Sequence, residues 1–394
     1  MCIAWSIQDR HKMAITRMNA TVAASDIDPT TDVTYLGSFR IPDVLLYGGG
    51  WGMTYYPAGN SGAGSLFVVH GLEYYSPSKK VIEITIPTLV QSTTPSALNR
   101  ATLLDTTDDI SEGKIGTQLD DSGEDLGDVA FFNDYLYWVA NEYYNPTGDD
   151  YPSIGRSDLD LSNLNSVGLY NVSPGDANRV GKYTAIILDT AWATANTSGK
   201  RLLVGRFKEN GAAGSKGPAL YAIDPSDTPP YTSTKLLEYD PPTGSHFLTD
   251  TADRDRISGM VWIKAGNNQA VLFTGLMGTE ANDCYGTECD DACRSGEQGF
   301  HSYPYFHGWL WYKIGDLADV ANSVVNAYDP QPYSTWKPSA NLIDTDNCPG
   351  GSGGVAYQEN YSGNDGRLFV AELGVDSTGT NEYLPVIHVF QISD

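Results

Sequence analysis

The sequence predicts an all-β protein: a single β-propeller of five blades, closed by pairing of the N-terminal strand with the C-terminal blade. Three observations carry this reading. A pattern of an apolar strand, a polar turn, a second apolar strand, a loop and a third strand returns five times along the chain. Units of this size cannot bury a hydrophobic face alone and must pack on one another. The last unit lacks a fourth strand, and the chain offers one at its other end in TYLGSFRIP (34–42). Closing a ring in this way removes exposed sheet edges. Third, 41 Gly, 21 Pro and 25 Tyr among 394 residues suit many short strands and tight turns.

The elements follow in order. Unit one reads WGMTYYP (51–57), SLFVVHG (65–71) and VIEITIP (81–87), then RATLLDT (100–106) as its fourth strand. Unit two reads GDVAFF (127–132), an Asn-Asp turn and YLYWVA (135–140), with SVGLYNV (166–172) as its third strand. No fourth strand is apparent within 141–181, so a sixth, degenerate blade stays open as an alternative there. Unit three reads YTAIIL (183–188), KRLLVGRF (200–207), ALYAIDPSD (219–227) and KLLEYD (235–240). Unit four is the hairpin GMVWIKAGNNQAVLFTGL (259–276) with WLWYKIGDL (309–317), and SANLIDT (339–345) is its expected fourth strand. Unit five reads GGVAYQ (353–358), GRLFVAELG (366–374) and PVIHVFQI (385–392). Apolar residues at helical spacing predict one helix over 314–328. The domain organisation is an N-terminal arm, 1–33, and a propeller, 34–394.

Charge excludes some function classes. A net charge of −25 argues against nucleic-acid binding, which rests on Lys and Arg. No apolar run approaches the ~20 residues of a membrane-spanning helix. The acidity suits solubility in a saline or extracellular setting. Its other reading is cation binding, of Ca²⁺ before any other ion, by DTTDDISEG (105–113) and DDSGEDLGD (120–128). Neither run has the alternation of an EF-hand loop, and no metal ligands are assigned. The N-terminus lacks a secretory signal pattern, because CIAWSI is shorter than an h-region and QDRHK follows it. Either a signal is missing, or the protein reaches an extracellular, cell-surface or virion-surface location without one. The arm is expected to dock on the propeller or on a neighbouring subunit.

Cys284, Cys289, Cys293 and Cys348 fall in two loops that a propeller places on one face. Two disulfides are expected in an oxidising compartment, with all three pairings open and Cys2 left over. The same face carries the long insertions 105–127, 141–166, 240–257, 276–308 and 329–352, whereas the opposite turns are short. Long loops on a rigid scaffold concentrate binding residues.

Residues near the axis on that face come from the starts of first strands and the ends of second strands. They are Trp51, Asp128 with Glu124 and Asp125, and Arg256, and His70, Glu73, Asn141, Glu142, Arg206 and Glu372. Asp128 reads as a chemical group or as an acceptor for backbone amides; His70 reads as a catalyst or as a structural histidine. Arg206 and Arg256 grip an anionic ligand or neutralise carboxylates. The GGSGG run (350–354) allows close packing around a narrow channel. Tyr143, Tyr303 and Tyr305 are candidates for a ligand surface, while Trp309 and Trp311 share one strand face and belong in the core.

A glycosidase needs two carboxylates facing one bond. The blade count is similar to that of five-bladed glycoside hydrolases, whose resemblance implies acids on successive first strands, yet GGGWGMTYY (48–56) and YTAIIL carry none. A polysaccharide lyase needs a Tyr or His base and a cation facing a uronate, which His70, His246, His301 and His307 with Arg206 or Arg256 leave open. The motifs YLGSFRIP, CYG (284–286), HSYPY (301–305) and LPVIHVFQI (384–392) resemble a family of predicted secreted or surface β-propeller-like proteins. That resemblance implies the fold and no catalytic residues. The expected function is therefore an extracellular or virion-surface recognition propeller for a glycan or another surface polymer. The alternatives are a carbohydrate-active lyase or hydrolase and a structural subunit held by residues 1–33.

Overall fold

The structure is a computed structural model that describes residues 25–44, 49–70, 78–118, 124–142, 152–172, 181–206, 217–240, 244–378 and 383–394. It is a five-bladed β-propeller. From the axis outwards, blade one is Met53–Tyr56, Ser65–Val69, Val81–Thr85 and Leu103–Thr107. Blade two is Glu124–Phe132, Tyr135–Glu142, Ile154–Ser157 and Val167–Tyr170. Blade three is Tyr183–Ile186, Leu202–Arg206, Ala219–Ile223 and Ser233–Leu237. Blade four is Arg256–Ala265, Asn268–Met277, Phe306–Tyr312 and Ser334–Trp336. Blade five is Ser352–Ser362, Asp365–Asp376 and Leu384–Ile392, with Val33–Arg40 as its outermost strand. That last strand pairs antiparallel with Leu384–Ile392 and closes the ring.

Five apolar clusters fill the five spaces between blades, which is why the strands bury both faces. In Tyr135–Glu142, Leu136 and Trp138 face blade one, while Tyr137 and Val139 face blade three. Alternation with period two sends successive side chains into different interfaces, so each strand contributes to two layers of core. Trp309 and Trp311 are both fully buried between blades four and five. The Asn133-Asp134 turn of blade two has both residues in the left-handed region, as a two-residue hairpin of the primed type requires.

Three elements differ from expectation. The run 166–172 forms the fourth strand of blade two, not the third. The third is Ile154–Ser157, inside the 141–166 insertion, and its sequence IGRS holds one apolar side chain. No sixth blade occurs among the described residues. In blade four the outermost strand is Ser334–Trp336, where Trp336 packs on Trp309 with ring centroids 5.2 Å apart. Residues Ser339–Asn341, inside the expected strand, form a 3₁₀ turn directly after Pro338. The helix covers Ile314–Ala321 and stops short of 328, because Ser323 adopts a left-handed conformation (φ 59°) that cannot continue it.

Two further features bear on the working face and on the arm. Cys284 pairs with Cys289 and Cys293 with Cys348, which resolves the pairing and ties the 276–308 insertion to the 329–352 connection. At the opposite end, Ser25–Asp26 pairs parallel with Asn268–Gln269. Ile27 is fully buried between blades four and five, and its carbonyl accepts the Tyr333 hydroxyl at 2.7 Å. The described part of the arm thus docks on its own propeller; residues 1–24, on which the neighbouring-subunit alternative rests, lie outside the described residues. No helix among the described residues is long and apolar enough to cross a membrane.

Candidate functional site

The innermost strands meet almost backbone to backbone at the axis. A Cβ on Gly353 would lie 2.5 Å from the Gly50 carbonyl oxygen, and one on Gly354 would lie 2.6 Å from the Gly52 Cα. Real Cβ atoms do not approach so closely, so only glycine fits where blade five meets blade one. The GGSGG run therefore narrows the channel.

Asp128 locks the same level. Its Oδ1 accepts the amides of Met53 (3.1 Å) in blade one and Val129 (2.8 Å) in its own blade. Its Oδ2 accepts the amide of Thr184 (3.1 Å) in blade three. Burial pushes its pKa well above the ordinary carboxylate range, against the amides and the charge of Lys182. The side chain is 2% exposed, so this carboxylate joins three blades and offers solvent almost no surface.

Trp51 precedes the innermost strand of blade one. Lys182 Nζ of blade three and the Arg256 guanidinium of blade four each lie 5.2 Å from its ring centre. In a ring of five, blades three and four are not neighbours of blade one, so the indole reaches across the axis. Arg206 ends the second strand of blade three, and its preceding carbonyl, Gly205, accepts the Lys182 amide at 2.8 Å. Lys182 and Arg206 thus leave adjacent strands at the same end. Lys182 and Arg206 are buried and Arg256 is half-buried. The indole Nε1 is buried and makes no hydrogen bond. An indole N–H is a donor only, so among the described residues this end of the axis gathers one unmet donor and two cationic side chains around one aromatic ring.

Glu372 sits in a separate, sealed network between blades four and five. Its carboxylate accepts His388 Nε2 at 2.6 Å and the amides of Ile343 (2.8 Å) and Asp344 (2.7 Å). Burial pushes its pKa up, but these hydrogen bonds with the charges of His388 and His307 leave it below the ordinary value. The other His388 nitrogen faces the Tyr35 hydroxyl at 3.2 Å. His307 bonds Ser352 Oγ (3.1 Å) and the Asp344 carbonyl (3.0 Å), and burial lowers its pKa. This network fastens the 329–352 connection to blade five.

The remaining predicted residues disperse. His70 is buried at the end of the second strand of blade one. Tyr305 is not a ligand surface. It is buried and donates to Asp291 (2.6 Å), which also bonds His301 (2.9 Å), so it forms the small core of the disulfide loop. Tyr303 is partly exposed. Asn141 and Glu142 end a strand, but their side chains, like Glu73 and Tyr143, lie outside the described residues. His246 stacks on Tyr328 at 3.9 Å and bonds Asp240, away from the axis. Among the described residues no group of three or more His, Cys, Asp or Glu side chains is placed to hold a metal. Within 105–113, Asp109 takes the amides of Ser111 and Gly113 of its own turn. Sequence reasoning missed Lys182 and His388. The only signal for Lys182 was its place just ahead of an innermost strand; for His388 it was a lone polar residue inside a buried run.

No protein-family model matches the sequence, and no curated protein is significantly similar to it. Solved structures do align. The Bacteroides ovatus xyloglucan PUL protein GH43B is 12% identical, with a TM-score of 0.40 over 90% of this chain and 53% of that chain. A luciferin-regenerating enzyme is 11% identical, with a TM-score of 0.35 over 92% of this chain and 95% of that chain. The chain thus spans about half the length of GH43B. Likenesses this distant carry no argument about activity.

Proposed function

We propose that this protein is a recognition module that binds a glycan or another surface polymer at the axial mouth of the propeller. One observation carries the reading: Trp51 reaches across the axis and is flanked by Lys182 and Arg256 from the opposite blades. The buried indole N–H without an acceptor, beside two cationic side chains, suits a polyhydroxylated ligand, whose oxygens accept. Binding is favoured over hydrolysis, since the oxygens of Asp128 and Glu372 are taken by backbone amides and a histidine. Two carboxylates of a glycosidase must instead face the scissile bond. The two disulfides suit an oxidising, extracellular setting.

The test is a glycan-array screen of the purified protein, with reducing-end and unsaturated-product assays on each hit. Binding without product, lost in Trp51→Ala while the protein stays folded, is the expected outcome. Product formation would replace this reading with a carbohydrate-active enzyme. Silence on every glycan would favour a structural subunit.

A further inference from the structure

Independently of that reading, we infer that Asn360 is an acceptor for N-linked glycosylation, so that the protein carries a saccharide of its own on the short-turn end of the propeller. The sequence holds four Asn-X-Ser/Thr triplets whose middle residue is not proline, at Asn19, Asn171, Asn196 and Asn360. That triplet is what the transferring enzyme reads, and it belongs on a surface loop of a secreted chain. The two disulfides suit the same oxidising route. Asn19 and Ser173 lie outside the described residues, which leaves Asn196 and Asn360 to compare.

Asn360 is presented by a bulge. Between Gln358 and Ser362 the first strand of blade five advances four residues, while its partner advances two, between Asp365 and Arg367. The extra residues leave the ladder, and Asn360 takes a left-handed conformation (φ 56°) that asparagine tolerates better than most side chains. Asn360, Tyr361 and Ser362 are all exposed. The residues around Asn360 are fastened. Glu359 bonds Lys264 at 3.1 Å, Gln358 accepts Arg367 Nε at 2.9 Å, and the Arg367 guanidinium lies 4.4 Å from the Tyr361 ring centre. The Asn360 carboxamide makes no hydrogen bond among the described residues. Asn196 is the reverse case. Its Nδ2 donates to the Trp192 carbonyl (2.9 Å), its Oδ1 accepts from Asn322 (2.8 Å), and Thr197 beside it is buried. Asn360 lies close to the turn that joins the first and second strands of blade five, so a glycan there leaves the loop-bearing face open.

The reaction joins Asn360 Nδ2 to the anomeric carbon of a lipid-pyrophosphate-linked oligosaccharide. The new C–N bond replaces the C–O bond between sugar and pyrophosphate. The lipid pyrophosphate leaves with the bonding pair, the nitrogen releases one proton to base, and nothing is oxidised or reduced.

The experiment incubates the folded, disulfide-intact full chain with a single-subunit oligosaccharyltransferase and that donor, beside a free acceptor peptide that reports enzyme activity. Peptide mapping then locates the glycans, using an amidase in heavy-oxygen water that converts each glycosylated Asn into a labelled Asp. Glycan at Asn360 and none at Asn196 is the expected result. Ser362→Ala should abolish the Asn360 product and Ser362→Thr should keep it, with the thermal midpoint unchanged in both because Ser362 is exposed. Asn360 left bare in the folded chain while the free peptide is modified would overturn the inference. So would equal modification of Asn196, or modification of Asn360 that survives Ser362→Ala. None of these outcomes depends on the glycan array, so this inference and the recognition reading stand or fall separately.

Discussion

Replacing Asp128 tests whether the inner ring is held by one buried carboxylate. In Asp128→Ala the amides of Met53 and Thr184, in blades one and three, lose their acceptor in a site that water does not reach, as does the amide of Val129 in its own blade. Each buried amide left unmet costs about 1–3 kcal/mol, or about 2–6 kcal/mol for the two amides that cross between blades. Relief from burying the carboxyl group offsets part of this, so a net loss of about 2–4 kcal/mol is expected. Asp128→Asn keeps one acceptor oxygen and sets an amide donor against one N–H, so it should cost about 1–3 kcal/mol, less than alanine. Urea unfolding followed by tryptophan fluorescence measures both. The pH dependence adds a second check. A carboxyl whose folded pKa is raised keeps a proton that the unfolded chain releases above about pH 4. Its contribution is therefore full below that pH and declines as pH rises toward the folded value, a slope that Asp128→Asn should lack. Alanine within about 0.5 kcal/mol of the parent, or asparagine worse than alanine, would refute the keystone role.

Two further outcomes follow from the network and loops around the site. Burial lowers the His307 pKa, so the unfolded chain takes up the proton first as pH falls below about 6.5, and stability is lost from there toward the folded value. The thermal midpoint should drop between pH 7 and 5, and His307→Gln should flatten that drop; equal slopes would contradict the assignment. The Cys293–Cys348 bridge joins residues 55 apart and Cys284–Cys289 residues five apart. Chain entropy assigns them about 4 and about 2 kcal/mol. Paired Cys→Ser variants should lose stability in that order, and a reversed order in chemical denaturation would show that loop length does not govern here.

The blades were legible because their strands bury both faces, so each appears in the sequence as an apolar run whose two alternating sets serve different interfaces. Where a strand is short and polar, as in Ile154–Ser157, or has three residues, as in Ser334–Trp336, that signal vanishes and pairing alone defines it. Disulfide pairing was illegible for a related reason: it depends on how two distant loops fold over one face. The site divides in the same way. Trp51, Arg206 and Arg256 could be named because strand ends on the loop-bearing face are predictable from alternation and turn length. Their meeting with Lys182 could not be read from any single blade. It follows from the size of the ring: five blades leave a glycine-narrow axis and set blade one opposite the junction of blades three and four. A wider ring would separate the indole from both cations, and an even number of blades would set it opposite one blade instead of a junction. The blade count is thus a determinant of the site, and the repeat that reveals the fold also decides which side chains face one another across the axis.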